Sequence, residues 1–325
     1  MWIICSRRHN LHLYLIAALA AYFFRASICF RCTGNLRYKN GRRRSHWHAP
    51  KTPSFQDSRK DYPGGLLFIL AGYFIPEVLA FFLCCGLVDV LRNTRRTFST
   101  LDRYFAGNGC FTWLLSPFNL FMDLISLPCW NKGVYAIPDL PKQYQDEINA
   151  LIEDALKSNL VGKLETKLAG QKRGMIFFKW YGKNIQTSID IPEFHHDYKF
   201  IRTIGVSVFN KKQSTGKHFG PLRVTFRVLY NINDIEDKNA YIKVGKQINH
   251  WQENKLFIFD DTLQYQSCNE TDAVRYCLFV DILRPCLFPG LTSAILSCIR
   301  LVIAPFNGIF YQHWTFIKRS SSCRC

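Results

Sequence analysis

Two arginines and a histidine are the residues of this sequence whose types and spacing best suggest chemistry. Arg275 opens a hydrophobic, strand-like run, and Arg227 lies between Phe226 and Val228 in another. Successive side chains of a strand point to opposite faces, and an inward arginine is an uncompensated buried charge unless it meets an anion. The two arginines therefore predict a buried anion site. His218, nine residues before Arg227, adds an imidazole, which is a common ligand for transition metals.

The acidic pair Asp260 and Asp261 follows a hydrophobic run upstream of Arg275. Such a pair either orients the ligands of a site or caps a turn, and the sequence alone allows both interpretations. Asn269 begins an Asn-Glu-Thr glycosylation acceptor, which would require a lumenal domain. The sequence contains no P-loop, no dinucleotide-binding glycine motif and no Gly-x-Ser-x-Gly elbow.

Short strands are the elements that must position these residues. From Met175 onwards, β-rich runs alternate with turns that contain glycine, asparagine and aspartate, a pattern typical of a sandwich or jelly roll. We therefore predict a mainly β fold. The predicted strands are Met175–Trp180, Ile204–Phe209, Val224–Ile232, Ala240–Val244, Lys255–Phe259 and Val274–Leu283.

Three helices are predicted beside the strands. Residues 143–159 carry a hydrophobic face at helical spacing, and residues 116–126 form an amphipathic segment. Residues 291–303 are apolar and end before Pro305, and basic residues follow them. This last helix is typical of one that lies in the plane of a membrane interface, and a buried pair of C-terminal helices is the alternative.

Two apolar runs near the N-terminus are candidates for membrane insertion. Residues 64–91 are long enough to cross a bilayer, although Glu77 is unfavourable there and Pro76 predicts a kink. Residues 11–24 are too short to span, so they resemble the apolar part of a signal or transit peptide, with a short first anchor as the alternative. We prefer one span and a cytosolic C-terminal domain, because a second span would enclose a strongly basic loop.

The net charge of +18 lies at the two ends of the chain. Residues 1–60 hold twelve lysines and arginines and one acid, and residues 284–325 hold five and no acid. Residues 61–283 carry 25 basic and 23 acidic residues and are nearly neutral. Basic charge confined to hydrophobic ends is typical of a membrane surface or a targeting segment, so we expect no nucleic-acid partner.

The thirteen cysteines are scattered rather than patterned. Cys29 and Cys32 form one C-x-x-C pair, and no second pair stands at the spacing of a zinc site. We therefore expect reduced thiols that serve as small hydrophobic residues.

Residues 62–290 resemble the aspartyl/asparaginyl β-hydroxylases, a family of iron- and 2-oxoglutarate-dependent dioxygenases, and most closely their membrane-bound lipid A hydroxylase branch. The offsets agree without gaps from Ser207 to Arg227 and from Tyr265 to Arg275. The strings that carry the resemblance are Ser-Pro-Phe-Asn at 116–119, Phe-Lys-Trp-Tyr-Gly at 178–182, Ser-Val-Phe at 207–209, His-Phe-Gly-Pro at 218–221, Arg227, Trp251, Phe-Asp-Asp at 259–261, Asn-Glu-Thr-Asp at 269–272 and Arg275.

The resemblance implies a double-stranded β-helix, that is, a jelly roll, and assigns roles to its residues. His218 matches the first iron ligand, and Arg275 matches the residue that binds 2-oxoglutarate. Ser207, Phe209 and Arg227 match positions that line the co-substrate pocket. The implied cofactors are Fe(II) and 2-oxoglutarate.

Three positions depart from the family pattern. Tyr265 stands in place of the second iron-binding histidine, Leu229 in place of a pocket histidine, and Gly220 where lipid A hydroxylases have aspartate. A phenol, with a pKa near ~10, must ionise to bind a metal, which favours iron(III) over iron(II). The histidines that could substitute, if the fold brought them to the metal, are His195, His196 and His250.

Two functions follow from the resemblance. The first is a membrane-anchored 2-oxoglutarate-dependent hydroxylase that acts on a lipid acyl chain or another membrane-proximal substrate, with His218 and Tyr265 at its catalytic centre. The alternative is a catalytically impaired relative that lacks iron and serves as a binding or scaffold protein. The expected organisation is a basic targeting or extension segment (1–60), a membrane anchor (61–93), a helical linker with flanking helices (94–160), a jelly-roll domain (161–285) and an apolar, basic interfacial segment (286–325).

Overall fold

The computed structural model describes residues 75–93, 97–107, 111–168, 173–187, 189, 191–304 and 315–316. The chain divides into a unit of residues 1–83, of which 75–83 are described, and a unit of residues 84–325 that holds the sheets. The predicted targeting segment at 1–60 and the apolar run at 11–24 lie outside the described residues.

Two β-sheets form the centre of the larger unit, so the predicted mainly β fold is confirmed. The larger sheet has the strand order β1-β9-β6-β11-β4-β2-β12, with β3 beside β2, and the smaller sheet has the order β5-β10-β7-β8. The strands are β1 Val134–Tyr135, β2 Arg173–Trp180, β3 Lys183–Asn184, β4 Ile201–Phe209, β5 Gln213–Ser214, β6 Thr225–Asn231, β7 Ala240–Val244, β8 Gln247–His250, β9 Leu256–Phe259, β10 Tyr265–Asn269, β11 Arg275–Leu283 and β12 Thr315–Phe316.

The chain passes back and forth between these sheets in the manner of a jelly roll. Strands β4, β6, β9 and β11 lie in the larger sheet, and the intervening strands β5, β7, β8 and β10 lie in the smaller one. Eight strands distributed in this way over two facing sheets make the double-sheet jelly roll. The described pairings are antiparallel except for that of β12 with β2.

Successive side chains along β11 point to opposite faces of the larger sheet. Tyr276, Leu278 and Val280 pack into a hydrophobic core with the flanking helices. Cys277 and Phe279 pack into a second core, shared with residues of the smaller sheet. Odd-numbered residues of β11 therefore point into the jelly-roll interior, and the predicted inward direction of the odd positions after Arg275 is confirmed.

Helices flank the sheets as predicted. Those predicted from sequence at 116–126, 143–159 and 291–303 are present with ends shifted by one or two residues. The described helices are α1 Pro76–Leu91, α2 Phe98–Asp102, α3 Phe111–Leu114, α4 Ser116–Ile125, α5 Lys142–Lys157, α6 Leu160–Leu168 and α7 Pro289–Ile303, with a π-helical turn Arg103–Gly107 and 3-10 turns at Ile137–Asp139 and Pro192–His195.

The predicted membrane span at 61–93 is not confirmed. Only its part from Ile75 onwards is described, and none of the described helices is both long and apolar enough to cross a bilayer. Helix α1 also begins at Pro76 instead of being kinked by it. Proline is tolerated there because the first residues of a helix have no intrahelical acceptor for their N–H groups.

A buried ion cluster joins the N-terminal helices to the jelly roll. The Arg223 guanidinium is fully buried and contacts the carboxylates of Asp89 and Asp123, the latter at 2.7 Å. Removing one partner from a buried ion pair costs about 3–5 kcal/mol, so these pairs fix where the helices sit. We call this group the helix–sheet ion cluster, and its members are Asp89, Arg92, Asp123, Arg223, Asp260 and Arg284.

Candidate functional site

His218 and Tyr265 meet at the edge of the smaller sheet. The N–H of His218 donates to the carbonyl of Tyr265 at 3.0 Å, and the N–H of Tyr265 donates to the carbonyl of His218 at 2.9 Å. The two ring centroids lie 4.1 Å apart. The structure therefore brings together the two residues that the sequence placed at the catalytic centre.

The imidazole of His218 is held as a neutral ligand or proton acceptor. Its Nδ1 lies 2.7 Å from the carbonyl oxygen of Gly216, and a carbonyl can only accept, so Nδ1 carries the hydrogen. Burial lowers the pKa of His218 to about 4, although the bond to Gly216 opposes the shift. At neutral pH the lone pair of Nε2 is therefore available.

Tyr265 is a protonated phenol in this environment. Burial raises the pKa of Tyr265 well above its usual value, and the nearby Arg227 guanidinium only partly opposes that shift. A neutral phenol is a poor donor to a divalent metal, since its oxygen must lose a proton to become a strong ligand.

Arg275 is a buried cation without a carboxylate partner among the described residues. Its side chain is 1% exposed, and its one side-chain hydrogen bond is from Nη2 to Ser267 Oγ at 2.8 Å. Nε and Nη1 have no hydrogen-bond partner in the described part of the chain. The guanidinium stacks on the rings of Phe209 and Trp251, with its carbon 4.2 and 5.4 Å from their centroids. Burial lowers the pKa of Arg275, as expected for a cation that lacks an anionic neighbour.

Arg227 has protein partners, and here the argument from sequence was wrong. Its Nε lies 2.5 Å from Asp281 Oδ1 and its Nη2 lies 2.8 Å from Asp261 Oδ2, while its guanidinium carbon stands 3.8 Å from the Phe279 ring centroid. The buried charge of Arg227 is thus compensated by two carboxylates and needs no external anion. Arg227 lines the jelly-roll interior as predicted, and its binding of a co-substrate stays a prediction.

The carboxylate of Asp261 fills the space beside Gly220. A Cβ atom added to Gly220 would lie 2.4 Å from Cγ of Asp261, and the Gly220 N–H donates to the Asp261 carbonyl at 2.6 Å. Oδ1 of Asp261 has no hydrogen-bond partner among the described residues. Burial raises the pKa of Asp261 to about 7, and Arg227 opposes the shift. The carboxylate beside the His-Phe-Gly string is therefore that of Asp261, because the string itself contains no acidic residue.

The other predicted pocket residues also lie on the inner face of the larger sheet. Phe209 is the cross-strand neighbour of Arg275. Ser207 Oγ donates to the Cys277 carbonyl at 3.3 Å. Leu229 packs in the core between the sheets. The structure thus groups these side chains around the interior that holds Arg275.

None of the three alternative histidines replaces the missing imidazole. His250 lies on β8, two strands and three residues away from Tyr265, which corresponds to roughly 14 Å. His195 and His196 directly follow Phe194, which packs on the outer face of the larger sheet. Among the described residues, no group of three or more histidine, cysteine, aspartate or glutamate side chains could hold a metal ion.

The N-terminal helical region holds the two segments that carry His218 and Tyr265. Arg103 donates to the Lys217 carbonyl at 3.1 Å, and the rings of Tyr104 and Phe219 meet edge to face at 5.2 Å. The Asn93 side chain accepts from the N–H of Gln264 at 2.8 Å. Sequence analysis missed these supports because the partners stand more than a hundred residues apart in sequence.

Comparison with known families gives the family of the region that contains these residues. Residues 146–285 match the family model described as aspartyl/asparaginyl β-hydroxylase. This jelly-roll region belongs to the aspartyl/asparaginyl β-hydroxylase family. The match includes β4, β10 and β11 and therefore every site residue that the resemblance predicted.

A curated relative of this chain is named as a lipid hydroxylase. The ornithine lipid ester-linked acyl 2-hydroxylase of Rhizobium tropici is 35% identical over 92 residues, which cover 28% of this chain and 32% of the relative. The chain thus matches about a third of the length of that relative. The relative supports a lipid hydroxylase branch within the family.

Likenesses to solved structures are weaker. An oxidoreductase of the 2OG-Fe(II) oxygenase family from Burkholderia pseudomallei has a TM-score of 0.29 and 11% identity, covering 40% of this chain and 79% of that one. A salicylate 1,2-dioxygenase from Pseudoaminobacter salicylatoxidans, as a W104Y mutant, has a TM-score of 0.25 and 12% identity, covering 44% and 36%. Both TM-scores are too low to establish a common fold.

The residues of the site fit one of the family's two cofactors. The unpaired nitrogens of buried Arg275 fit a carboxylate of 2-oxoglutarate, because a desolvated guanidinium is stabilised by charge-assisted hydrogen bonds to an anion. The donors for iron do not fit a site with two imidazoles, since the described residues offer one imidazole and a protonated phenol. The family implies iron and 2-oxoglutarate, whereas the described residues offer a buried, partly unpaired guanidinium, one imidazole and a protonated phenol.

Proposed function

We propose that this chain binds 2-oxoglutarate and the acyl chain of a membrane lipid within a hydroxylase fold whose iron site is impaired. The protein thereby acts as a binding or scaffold member of the hydroxylase family. Arg275 holds the carboxylate of 2-oxoglutarate that lies farther from the metal position, and Ser207 and Phe209 shape the pocket around it.

The single observation that carries the proposal is the state of Arg275. Leaving a buried guanidinium with two unpaired nitrogens costs several kcal/mol unless an anion pairs with it. Arg227, on the neighbouring strand, is paired with two carboxylates. The jelly-roll interior therefore contains acidic residues, but none of those described pairs with Arg275. An open cation at 275 therefore supports a site reserved for an anionic ligand.

The lipid part of the proposal is supported by the relative. The enzyme from Rhizobium tropici is named for an acyl chain of an ornithine lipid, and the apolar, basic ends of this chain are suited to a membrane surface. Membrane anchoring through residues 61–93, a cytosolic jelly-roll domain and organelle targeting by residues 1–60 belong to the same proposal.

An active Fe(II)/2-oxoglutarate hydroxylase is the second candidate. Two observations favour it, namely the neutral imidazole of His218 and the partner-free Oδ1 of Asp261 beside Gly220. Together they offer one nitrogen and one oxygen donor near the position that the family uses for iron. The neutral phenol of Tyr265 and the ion pair of Asp261 with Arg227 count against this candidate.

Substitution of Arg275 tests the carboxylate site. We expect the wild type to bind 2-oxoglutarate in calorimetry and Arg275→Lys to bind about tenfold more weakly or worse, because lysine cannot form the paired hydrogen bonds. Arg300→Lys, on helix α7, is the matched control and should bind as the wild type does. Equal binding by the Arg275 and Arg300 variants would contradict the proposal, as would a wild type that binds no 2-oxoglutarate.

Substitution of Tyr265 separates the two candidate functions. If the iron site is impaired, Tyr265→His should gain affinity for Fe(II), with about a tenfold or greater increase from the added imidazole. The optical spectrum of bound Co(II) would report the new ligand, and Tyr230→His, on the outer face of the sheet, is the control. A wild type that already retains iron and releases succinate from 2-oxoglutarate would instead establish the active hydroxylase.

A further inference from the structure

Helices α4 and α7 present an apolar surface that neither the family match nor the site explains. Both helices pack on the same patch of the jelly roll, where Met122 and Leu296 contact Val224 and Leu283. Because both inner faces rest on this patch, both outer faces point away from it. Large apolar side chains are exposed along those outer faces and the turn after α4, namely Phe121, Leu124, Leu127, Trp130, Phe288 and Leu291.

The exposure is too extensive to be incidental. Trp130 is 77% exposed, Leu124 is 64% exposed and Phe288 is 62% exposed. Isolated apolar residues are common on protein surfaces, but a contiguous patch of large ones marks an interaction site. On α7 the exposed apolar positions recur at helical spacing from Leu291 to Leu301. The outward side of this helix is therefore apolar.

Charge indicates what covers this surface. The only acid on α4, Asp123, points inward and is paired with Arg223 and Arg284. Helix α7 contains no acid, and the sequence from residue 284 to its end has five basic residues and none that are acidic. An apolar face with Arg300 in the last turn of α7 and no exposed acid on either helix is complementary to an anionic lipid surface, and a tryptophan at its edge is typical of the bilayer interface.

The geometry points to this face as a docking surface for an anionic lipid bilayer, with α4 and α7 lying in the interface plane. This inference rests on the proposed lipid partner and adds the surface through which the protein meets it. No helix has to cross the membrane for this contact, since the face is built from the sides of two helices.

The docking surface lies directly behind the segment that carries His218. On the inner side of α4, Asn119 donates to the Pro221 carbonyl at 3.1 Å and accepts from the N–H of Arg223 at 2.9 Å. A helix with its side chains is about 10–12 Å across. The His218 loop and the bilayer are thus separated by about one helix diameter, a distance that an acyl chain can bridge.

Site-specific photocrosslinking in the full chain tests the docking surface. The photoreactive residue p-benzoylphenylalanine is placed singly at Trp130, at Leu291 and, as a control, at Ile248. Ile248 is an equally apolar and 47% exposed residue on strand β8 of the smaller sheet. Each protein is irradiated with vesicles of phosphatidylcholine and phosphatidylglycerol, and the adducts are identified by mass spectrometry.

We expect lipid adducts at positions 130 and 291 to exceed those at 248 by about tenfold, because only the first two enter the acyl region. Adducts to a second copy of the chain, or to peptides from residues 1–74 or 305–314, would overturn the inference, since another occupant would then cover the face. Equal labelling at all three positions, or no lipid adduct at 130 and 291, would overturn it as well. Binding of 2-oxoglutarate by the same samples is measured separately, so failure of docking is distinguishable from failure of the proposed function.

Discussion

Arg227 and Arg275 lie on adjacent strands and point into the same interior, yet their surroundings are opposite. Arg227 is compensated by Asp261 and Asp281, and these carboxylates raise its pKa although burial alone would lower it. Arg275 has one hydroxyl partner, and burial lowers its pKa. Arg227 is therefore a structural cation, whereas Arg275 is the cation that we propose binds a ligand.

The side chain of Asn269 has a structural role and is not a glycosylation acceptor in the folded protein. Asn269 begins the Asn-Glu-Thr string, but its side chain is fully buried and its Nδ2 donates to the carbonyls of Phe209, Asn210 and Ala273. An acceptor for glycosylation must be exposed on a surface loop. The glycosylation interpretation of this string is therefore wrong for the folded protein.

We expect Asn269→Ala to destabilise the fold by about 2–4 kcal/mol, because several buried carbonyls lose their donor at once. Urea unfolding at neutral pH measures the change in free energy. Asn239→Ala is the control, since Asn239 is an exposed turn residue, and it should change stability by less than about 0.5 kcal/mol. A similar loss for both variants would show that the buried network contributes nothing specific.

The inner-face residues show how far single positions could be predicted. Alternation along a strand correctly placed Arg275 and Phe279 inward, because the period of two is imposed by the backbone. The same rule applied to Asp281 would have found the partner of Arg227, since both residues occupy inward positions and pair across β6 and β11. The contact of Asp261 with Gly220 could not be found in this way, because it depends on how a loop returns to the sheet.

At the scale of elements, the N-terminal helices act as a frame for the two site segments. Arg92 bonds Asp260 at 2.8 Å, and Asn131 bonds the same carboxylate at 2.7 Å. Asp260 in turn accepts from both the N–H and the hydroxyl of Thr262, at 2.9 and 2.6 Å. The turn before β10 is thus tied to helix α1, and this turn also contains Asp261.

The stability supplied by Asp260 should depend on pH in a defined direction. Burial alone would raise the pKa of Asp260, but the guanidinium groups of Arg92 and Arg223 outweigh it and hold the pKa far below its usual range. The folded state therefore binds this proton more weakly than the unfolded state does. The stabilisation is fully present above the unfolded pKa of about 3.9 and is lost as the pH falls towards the folded value, by about 1.4 kcal/mol per pH unit.

Comparison of wild type with Asp260→Asn measures this effect. The variant should be less stable by about 3–5 kcal/mol at pH 7, because buried Arg223 and half-buried Arg92 both lose a charged partner. The difference should shrink steadily below pH 4 in thermal or urea unfolding. Asp272→Asn removes an exposed carboxylate as a control, and a difference from wild type that stayed constant down to pH 2 would contradict the assignment.

Elements with strong periodicity were predicted well from sequence, and weak ones were not. Strand β7 was predicted with its observed ends, and helix α5 to within two residues. Strands β8 and β10 were missed because their sequences, Gln-Ile-Asn-His and Tyr-Gln-Ser-Cys-Asn, are short and largely polar. Both strands pair with β7 along their length, so their strand character comes from this pairing and not from local preference.

At the scale of the whole molecule, the family region lacks the acidic partners of two of its buried arginines. Residues 146–285 include Arg223 and Arg284, whereas their partners Asp89 and Asp123 lie upstream. A fragment of residues 146–325 would leave two buried guanidinium groups poorly paired, at about 3–5 kcal/mol for each broken pair. That cost is comparable to the total stability of a typical domain.

We therefore expect a fragment of residues 146–325 to show no cooperative unfolding transition. A fragment of residues 75–325, which keeps Asp89 and Asp123, should unfold cooperatively. Circular dichroism during a denaturant titration reports both results. Cooperative unfolding of the shorter fragment would show that the helix–sheet ion cluster is dispensable.

The overall class of the molecule was predictable, whereas its internal connections were not. Turn spacing and β-rich runs specified a jelly roll with flanking helices because those signals are local. The ion pair of Asp89 with Arg223 joins residues 134 positions apart, and no local pattern reports such a contact. Seven of the cysteines fall in the described regions, and all seven are free thiols.

The close approach of Asp261 to Gly220 also restricts which side chains position 220 can accept. A mutation to aspartate at 220 would push its first carbon into the space that a neighbouring acid already occupies. A carboxylate at 220 would therefore require a second, compensating change at 261, and the first change alone would be harmful. Positions 220 and 261 can thus be redesigned only as a pair.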